Sequence, residues 1–118
     1  MVTAKCFNSD SYEVWVKFGA LWYSKAHLEL GFKNLSEITE RIKSFDVDFI
    51  ASLIKVGHIT YCQENKSQPI SDSVEYYYGM IDACGLIECV QAINIGIVEL
   101  TGVNRLSSEE IDEVSKKK

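Results

Sequence analysis

A mainly α fold is predicted: a small helical bundle of about four to five helices with a short N-terminal β-strand or hairpin. Three observations predict it. Apolar residues recur at helical spacing in capped or glycine-bounded segments between residues 20 and 101. One earlier segment alternates apolar and polar residues with period two. The 118 residues suffice for one hydrophobic core, and a single proline interrupts them.

The alternating segment begins at Tyr12. Val14, Val16 and Phe18 fall on one face, with Glu13, Trp15 and Lys17 on the other. Its β-branched and aromatic residues suit a strand. A lone strand would leave its backbone groups unpaired, so residues around Ala4 to Phe7 are the candidate second arm. Met1 to Ser11 otherwise reads as polar and loosely held.

Ala20 to Leu30 has the stripe Trp22, Tyr23, Ala26 and Leu30, and Gly31 suits a left-handed C-terminal cap. Leu21 and Leu28 fall on another flank, and His27 borders the stripe. Asn34 is the N-cap of the next helix, with Glu37 in capping-box position. Leu35, Ile38, Ile42 and Phe45 gather on one arc of it, and Glu37 and Arg41 have the spacing of a helical ion pair. Asp46 caps a third helix from Val47 to about Cys62, faced by Ile50, Leu53, Ile54, Gly57 and Tyr61. Gly57 weakens that helix, so close approach of another segment explains it.

Gln63 to Ile70 is a polar loop holding Pro69. Asp72 with Glu75 repeats the capping signature before a helix striped by Val74, Tyr77, Tyr78, Ile81 and Cys84, extended by Met80. Leu86 to Thr101 is the most apolar helix. Leu86, Cys89, Val90, Ile93, Ile97 and Leu100 make its core face, and Ile87, Ile95 and Val98 lie across from it. Either this helix runs through the centre of the bundle or its second side meets another chain. Gly102 is the expected stop. Residues 103–118 read as a charged, flexible tail appended to a single domain over 1–102, with Ser107 and Glu110 able to start a short helix.

Composition excludes several function classes. A net charge of -5 with one basic run, Lys116 to Lys118, argues against nucleic acid, whose phosphates require clustered Lys and Arg. The Tyr76–Tyr77–Tyr78 run resembles a base-stacking platform, but acidic Glu75 and Asp82 flank it, and core packing is the better reading. No apolar run reaches the roughly 18 residues of a membrane span, and Met1 to Asn8 has no signal-peptide core. A cytoplasmic location is therefore expected, and Cys6, Cys62, Cys84 and Cys89 show no disulfide framework. His58 and Cys62, one helical turn apart, could be half of a zinc site, but the Cys-x-x-Cys spacing is missing. Small buried hydrophobes describe these cysteines better. Glu37 and Glu40 read as surface rather than as a catalytic pair, and no phosphate loop, nucleophile elbow or His-x-x-x-His pair occurs. No cofactor, metal or catalytic residue is expected.

The succession Val14-Trp-Val-Lys-Phe-Gly19, Leu28-Glu-Leu-Gly31, Leu35-Ser-Glu-Ile38 and Asp46-Val-Asp-Phe-Ile50 resembles the front half of phage tail assembly chaperones. The loop and last helical pair, Ser71 to Gly102, complete the resemblance, which covers about Tyr12 to Gly102. Each motif is only a hydrophobic spacing or a single glycine, and their order carries the likeness. The resemblance implies a small non-catalytic protein of a long-tailed phage or prophage, working in the host cytoplasm. It implies binding to the tape measure protein until tube subunits polymerise around it. It also implies a second partner, the major tail tube protein, through a frameshift-extended form; the ending Ser115-Lys-Lys-Lys118 is compatible with a slippery codon run. An unrelated helical adaptor or regulatory subunit is the alternative. The candidate partner-binding residues are Trp15, Ile87, Ile95 and Val98, apolar side chains left off the core arcs. A homo-oligomer is also allowed.

Overall fold

The computed structural model describes residues 2–9 and 11–102; the residues 103–118, including Ser107 and Glu110, lie outside the described residues. Two strands, β1 (Lys5–Ser9) and β2 (Tyr12–Val16), pair antiparallel, with Cys6 opposite Trp15 and Phe7 opposite Val14. The N-terminal arm is thus a paired strand rather than a loose lead-in, because its Phe7 has a buried seat beside Val14. Five helices follow: α1 (Ala20–Leu30), α2 (Leu35–Lys43), α3 (Val47–Glu64), α4 (Val74–Cys84) and α5 (Leu86–Thr101). The mainly α bundle with an N-terminal hairpin is the fold the sequence predicts.

α3 occupies the centre. It packs against β2 and against each of the other four helices, and ten of its residues are buried. α5 is peripheral, burying only Cys89, Ile93 and Gly96 along one face. Its other expected core residues, including Val90, Ile97 and Leu100, are half-buried at the margin of that face.

Phe18 joins the hairpin to both helices. A methyl group on Gly57 of α3 would sit 2.6 Å from Phe18 Cε1, and one on Gly96 of α5 would sit 2.5 Å from Phe18 Cβ. The predicted close approach at Gly57 is real, and the Lys17 N–H donates to the Gly57 carbonyl at 3.1 Å beside it. Trp22, fully buried below Phe18, donates its indole N–H to the Leu53 carbonyl at 2.9 Å, so burial leaves no orphaned donor.

The joint between α2 and α3 departs from expectation in two ways. Phe45 does not extend the apolar arc of α2. That helix ends at Lys43 with Ser44 as its C-cap, and Phe45 takes the left-handed conformation at φ 56°, half-exposed. The Phe45 N–H bonds to the Ile42 carbonyl and the Asp46 N–H to the Arg41 carbonyl, a Schellman closure with phenylalanine where glycine is usual. Arg41 also turns away from Glu37. Its Nε and a terminal nitrogen donate to Asp46 Oδ2 at 3.0 and 2.8 Å, and its guanidinium lies 3.9 Å above the Phe49 ring. Asp46 wins because it is fixed already, its other oxygen capping the Phe49 N–H at 3.2 Å. Asn34 caps Glu37 N–H as predicted, but the Glu37 carboxylate reaches the Lys33 N–H, one residue beyond the usual capping-box partner. At the start of α4 the N-cap is Ser73 rather than Asp72, and its side chain makes no cap bond.

Two predictions follow from this packing. Gly96→Ala should lower stability by about 1–3 kcal/mol in urea unfolding, because the Phe18 ring or the α5 backbone must move; combined with Phe18→Leu, the cost should shrink. The Asp46 carboxyl is held below its ordinary range by the Arg41 hydrogen bond first and the Phe49 N–H second. A depressed folded value stabilises above the unfolded one and is lost as pH falls through the folded one. The partly exposed pair limits the effect to about 1 kcal/mol. Wild type should therefore exceed Asp46→Asn in unfolding free energy at pH 7, with the gap closing in acid.

Candidate functional site

Three of the four residues singled out from sequence share one surface. Cys89, Ile93 and Gly96 turn α5 toward the core, which leaves Ile87, Ile95 and Val98 outward at 63%, 51% and 37% exposure. Glycine at Gly85 and at Gly102 bounds the helix at either end. Along its flank runs a groove of ≈ 230 Å³ between α5 and β1, lined by Lys5, Cys6 and Phe7 on one side and Gln91, Ala92 and Ile95 on the other. Lys5 closes one side of that contact with an ion pair to Glu99 at 3.1 Å. Partial burial pushes the Glu99 carboxyl up, but hydrogen bonds from Lys5 and Thr3 outweigh it and hold the group below the usual carboxylate range.

Trp15 is placed by different elements. It is 40% exposed on the outer side of β2 and stacks on Tyr61 of α3, ring centroids 5.7 Å apart and planes 19° from parallel. Its carbonyl oxygen accepts from His58 Nδ1 at 2.7 Å. Trp15 thus already has an aromatic partner within the chain, whereas the α5 aliphatics project outward.

His58 and His27 are both engaged by the backbone. His58 is buried, and its Nε2 accepts from the Ile70 N–H at 3.0 Å. Since a backbone N–H only donates and a carbonyl only accepts, the ring is neutral with its proton on Nδ1. Both nitrogens that a metal would use are thereby bonded to backbone, with Cys62 Sγ 3.6 Å from Nε2. Among the described residues no group of three or more His, Cys, Asp or Glu side chains could hold a metal ion. Burial first, then Cys84 and Glu88, pushes the Cys89 thiol up to about 12, and burial also raises Cys6 and Cys84, so these sulfurs stay protonated and poorly nucleophilic at neutral pH. His27 Nδ1 lies 2.6 Å from the Phe32 carbonyl at the end of α1.

The three tyrosines are separately employed. Tyr76 packs edge-on against Tyr12, Tyr77 is buried and donates to the Ser71 carbonyl at 2.6 Å, and Tyr78 donates to Asp48 Oδ1 at 2.6 Å. Burial, chiefly, lifts the Tyr77 phenol well above its usual range. The run is packing and tethering: Tyr76 and Tyr77 meet other rings, and Tyr78 is held by its hydroxyl.

One feature escaped sequence reasoning. Leu28 is 81% exposed and lines a groove of ≈ 320 Å³ between α1 and α3 with Lys25, Glu29, Val56 and Ile59. Leu21 and Leu28 lay on a second flank of α1 in the sequence, which was the available signal. Among the described residues no single helix is long and apolar enough to cross a membrane. No family model, curated protein or solved structure matches this chain.

Because His58 ties β2 to the loop before α4, His58→Phe should lose about 1–3 kcal/mol in chemical unfolding, the range for backbone groups left without a partner. Amide exchange at Ile70 should accelerate in the same variant.

Proposed function

We propose that this chain is a tail assembly chaperone of a long-tailed phage or prophage, which binds the tape measure protein and keeps it soluble in the host cytoplasm. The observation that carries the reading is the outward apolar band of Ile87, Ile95 and Val98 on α5. On that face Ile95 and Val98 adjoin, with exposed Gln91 and Asn94 between them and Ile87; an exposed apolar patch rimmed by polar residues marks an interaction site. A long, apolar, helical partner is the chemistry such a band accepts, laid against it as one helix on another. Burying a fully exposed aliphatic side chain contributes roughly 1.5–3 kcal/mol; at 37–63% exposure these three supply about half of that each, which offsets part of the cost of association. The net charge of -5 keeps the chain dispersed while the band waits. A frameshift-extended form carrying the major tail tube protein to the same complex belongs to this reading. The order of short motifs from Tyr12 to Gly102 supports it; non-catalytic action is part of it.

A helical adaptor of another kind is the second reading, favoured by the apolar groove around Leu28, which offers a docking place away from α5.

Ile95→Asp combined with Val98→Asp should abolish co-purification with the tape measure protein encoded beside this chain, while far-UV circular dichroism stays helical. Retained binding by the folded variant would move the contact surface elsewhere, first to the Leu28 groove.

A further inference from the structure

The hairpin has one edge in use and one edge free. Two residues separate Ser9 from Tyr12, so these two close the hairpin and exchange backbone hydrogen bonds. Bonded pairs then alternate with unbonded ones. Phe7–Val14 and Lys5–Val16 bond across the sheet, while Cys6 and Asn8 on β1 turn their N–H and C=O groups outward. α3 meets the far edge of β2: His58 holds the Trp15 carbonyl, and Gly57 accepts the Lys17 N–H just beyond. On β1 the N–H and C=O of Cys6 and Asn8 bond to no other described residue. Lysine commonly guards such an edge, but Lys5 is drawn aside to Glu99. α5 packs on α3 and α4, and along β1 it leaves a trough. A part of ≈ 230 Å³ lies between residues 5–7 and the α5 flank of Glu88, Ala92 and Ile95. A further ≈ 120 Å³ runs past Asn8 and Ser9 to Cys84, and Phe7 and Glu88 line both parts. Glu88 is exposed and makes no ion pair among the described residues.

We propose that this trough binds an extended segment of another protein as a third, antiparallel strand on β1, with an aliphatic residue over Ala92 and Ile95 and a Lys or Arg two residues away at Glu88. The free groups of Cys6 and Asn8 recur every second residue. Extended main chain satisfies that pattern, whereas a helix has bonded its own groups internally. Antiparallel pairing is the stronger sense per residue. Phe7 is buried while Cys6 and Asn8 are exposed, so residues opposite Lys5 and Phe7 point down to α5 and those opposite Cys6 and Asn8 point to solvent. The floor sets their chemistry. Ala92 and Glu88 are about 6 Å apart along the helix, close to the ~6.7 Å between alternate residues of a strand. The chain's own continuation fits badly. It starts at Gly102, about 21 Å along α5 from Glu88, and an extended run back covers that distance in about seven residues. Arg105 then stops short of Glu88, and Glu109 arrives beside it, carboxylate against carboxylate. The trough shares Ile95 with the outward band of α5 but recognises main chain, so it stands whether or not the chaperone reading does.

The probe is the peptide Thr-Val-Thr-Lys-Thr-Val-Thr, amidated, labelled with fluorescein at its N-terminus and read by anisotropy against the full chain. It should bind saturably, one per chain, with a dissociation constant below ~1 mM. Methylating the backbone nitrogens of the two inner threonines, which face β1, should abolish binding. Methylating those of the valines and the lysine, which face away, should leave the constant within about threefold. Equal loss in both, or no saturable binding of the parent peptide, overturns the proposal. Exchanging the peptide's lysine for glutamate should weaken binding about fivefold, and Glu88→Lys, at an exposed position, should restore it. A glutamate peptide that binds the wild-type chain as well as the parent does also overturns it. Amide exchange gives an independent reading. Cys6 and Asn8 should exchange at least about tenfold more slowly with saturating peptide, while Phe7, already bonded to Val14, should change little. Protection of Cys6 and Asn8 in the free chain would mean that a second copy or the chain's own end holds this edge, and that result overturns the proposal.

Discussion

Phe18 sits where the hairpin, α3 and α5 converge, and its ring has room only because two helices present glycine to it. Gly57 meets the Cδ1–Cε1 edge and Gly96 meets the Cβ and Cδ2 side. Glycine inside a helix lowers its stability by roughly 1 kcal/mol relative to alanine. Here that loss is offset by letting two backbones close on one aromatic side chain that is itself fully buried. The Lys17 N–H to Gly57 carbonyl bond extends the sheet's pairing into the helix surface at the same point. With Phe18 seated, one face of α5 must turn inward, and the opposite face is committed to the outside. The apolar band of Ile87, Ile95 and Val98 is thus a consequence of the seat as much as of its own sequence.

A second set of constraints radiates from α3. His58 holds the Trp15 carbonyl with one nitrogen and the Ile70 N–H with the other, so β2 and the segment leading to α4 hang from one ring. Tyr78 reaches back from α4 to Asp48 at the start of α3, and Tyr77 holds the Ser71 carbonyl. Among the described residues every buried side-chain nitrogen or oxygen has a partner. Polar side chains inside this molecule serve as ties between elements, which is why residues that look reactive in sequence are occupied in structure.

Helix order, the hairpin and most helix ends were legible from spacing and caps alone, because those signals are local. Asn34 and Asp46 cap the helices they precede, and Gly57 marks a close approach, as read. The misreadings share a cause: each depended on competition between partners. Arg41 had two carboxylates within reach, and only the folded chain shows that Asp46 is the one already held in place. Phe45 continued an apolar arc in sequence, yet the Schellman closure claimed its backbone. The second glycine of the Phe18 seat, Gly96, carried the same mark as Gly57, a glycine inside a helix, but nothing local named Phe18, 78 residues away, as what it meets. Of the candidate site, the outward side of α5 was readable from helical periodicity. The exposure of Leu28 was not, because it depends on where α1 lands against α3.

The contact between Phe18 and Gly96 also orders events during synthesis. The hairpin leaves the ribosome first, but one wall of its aromatic seat is made last. At roughly 5–20 residues per second, the nearly 80 intervening residues take about 4–16 s to appear. During that interval β1 and β2 can pair, and α3 can supply half of the seat, but Phe18 cannot be enclosed. The Lys5–Glu99 bridge, 94 residues apart, closes later still. Completion of the fold is thus gated by the arrival of α5, the same element that carries the outward band, so this face is presented only on a chain whose core has just closed.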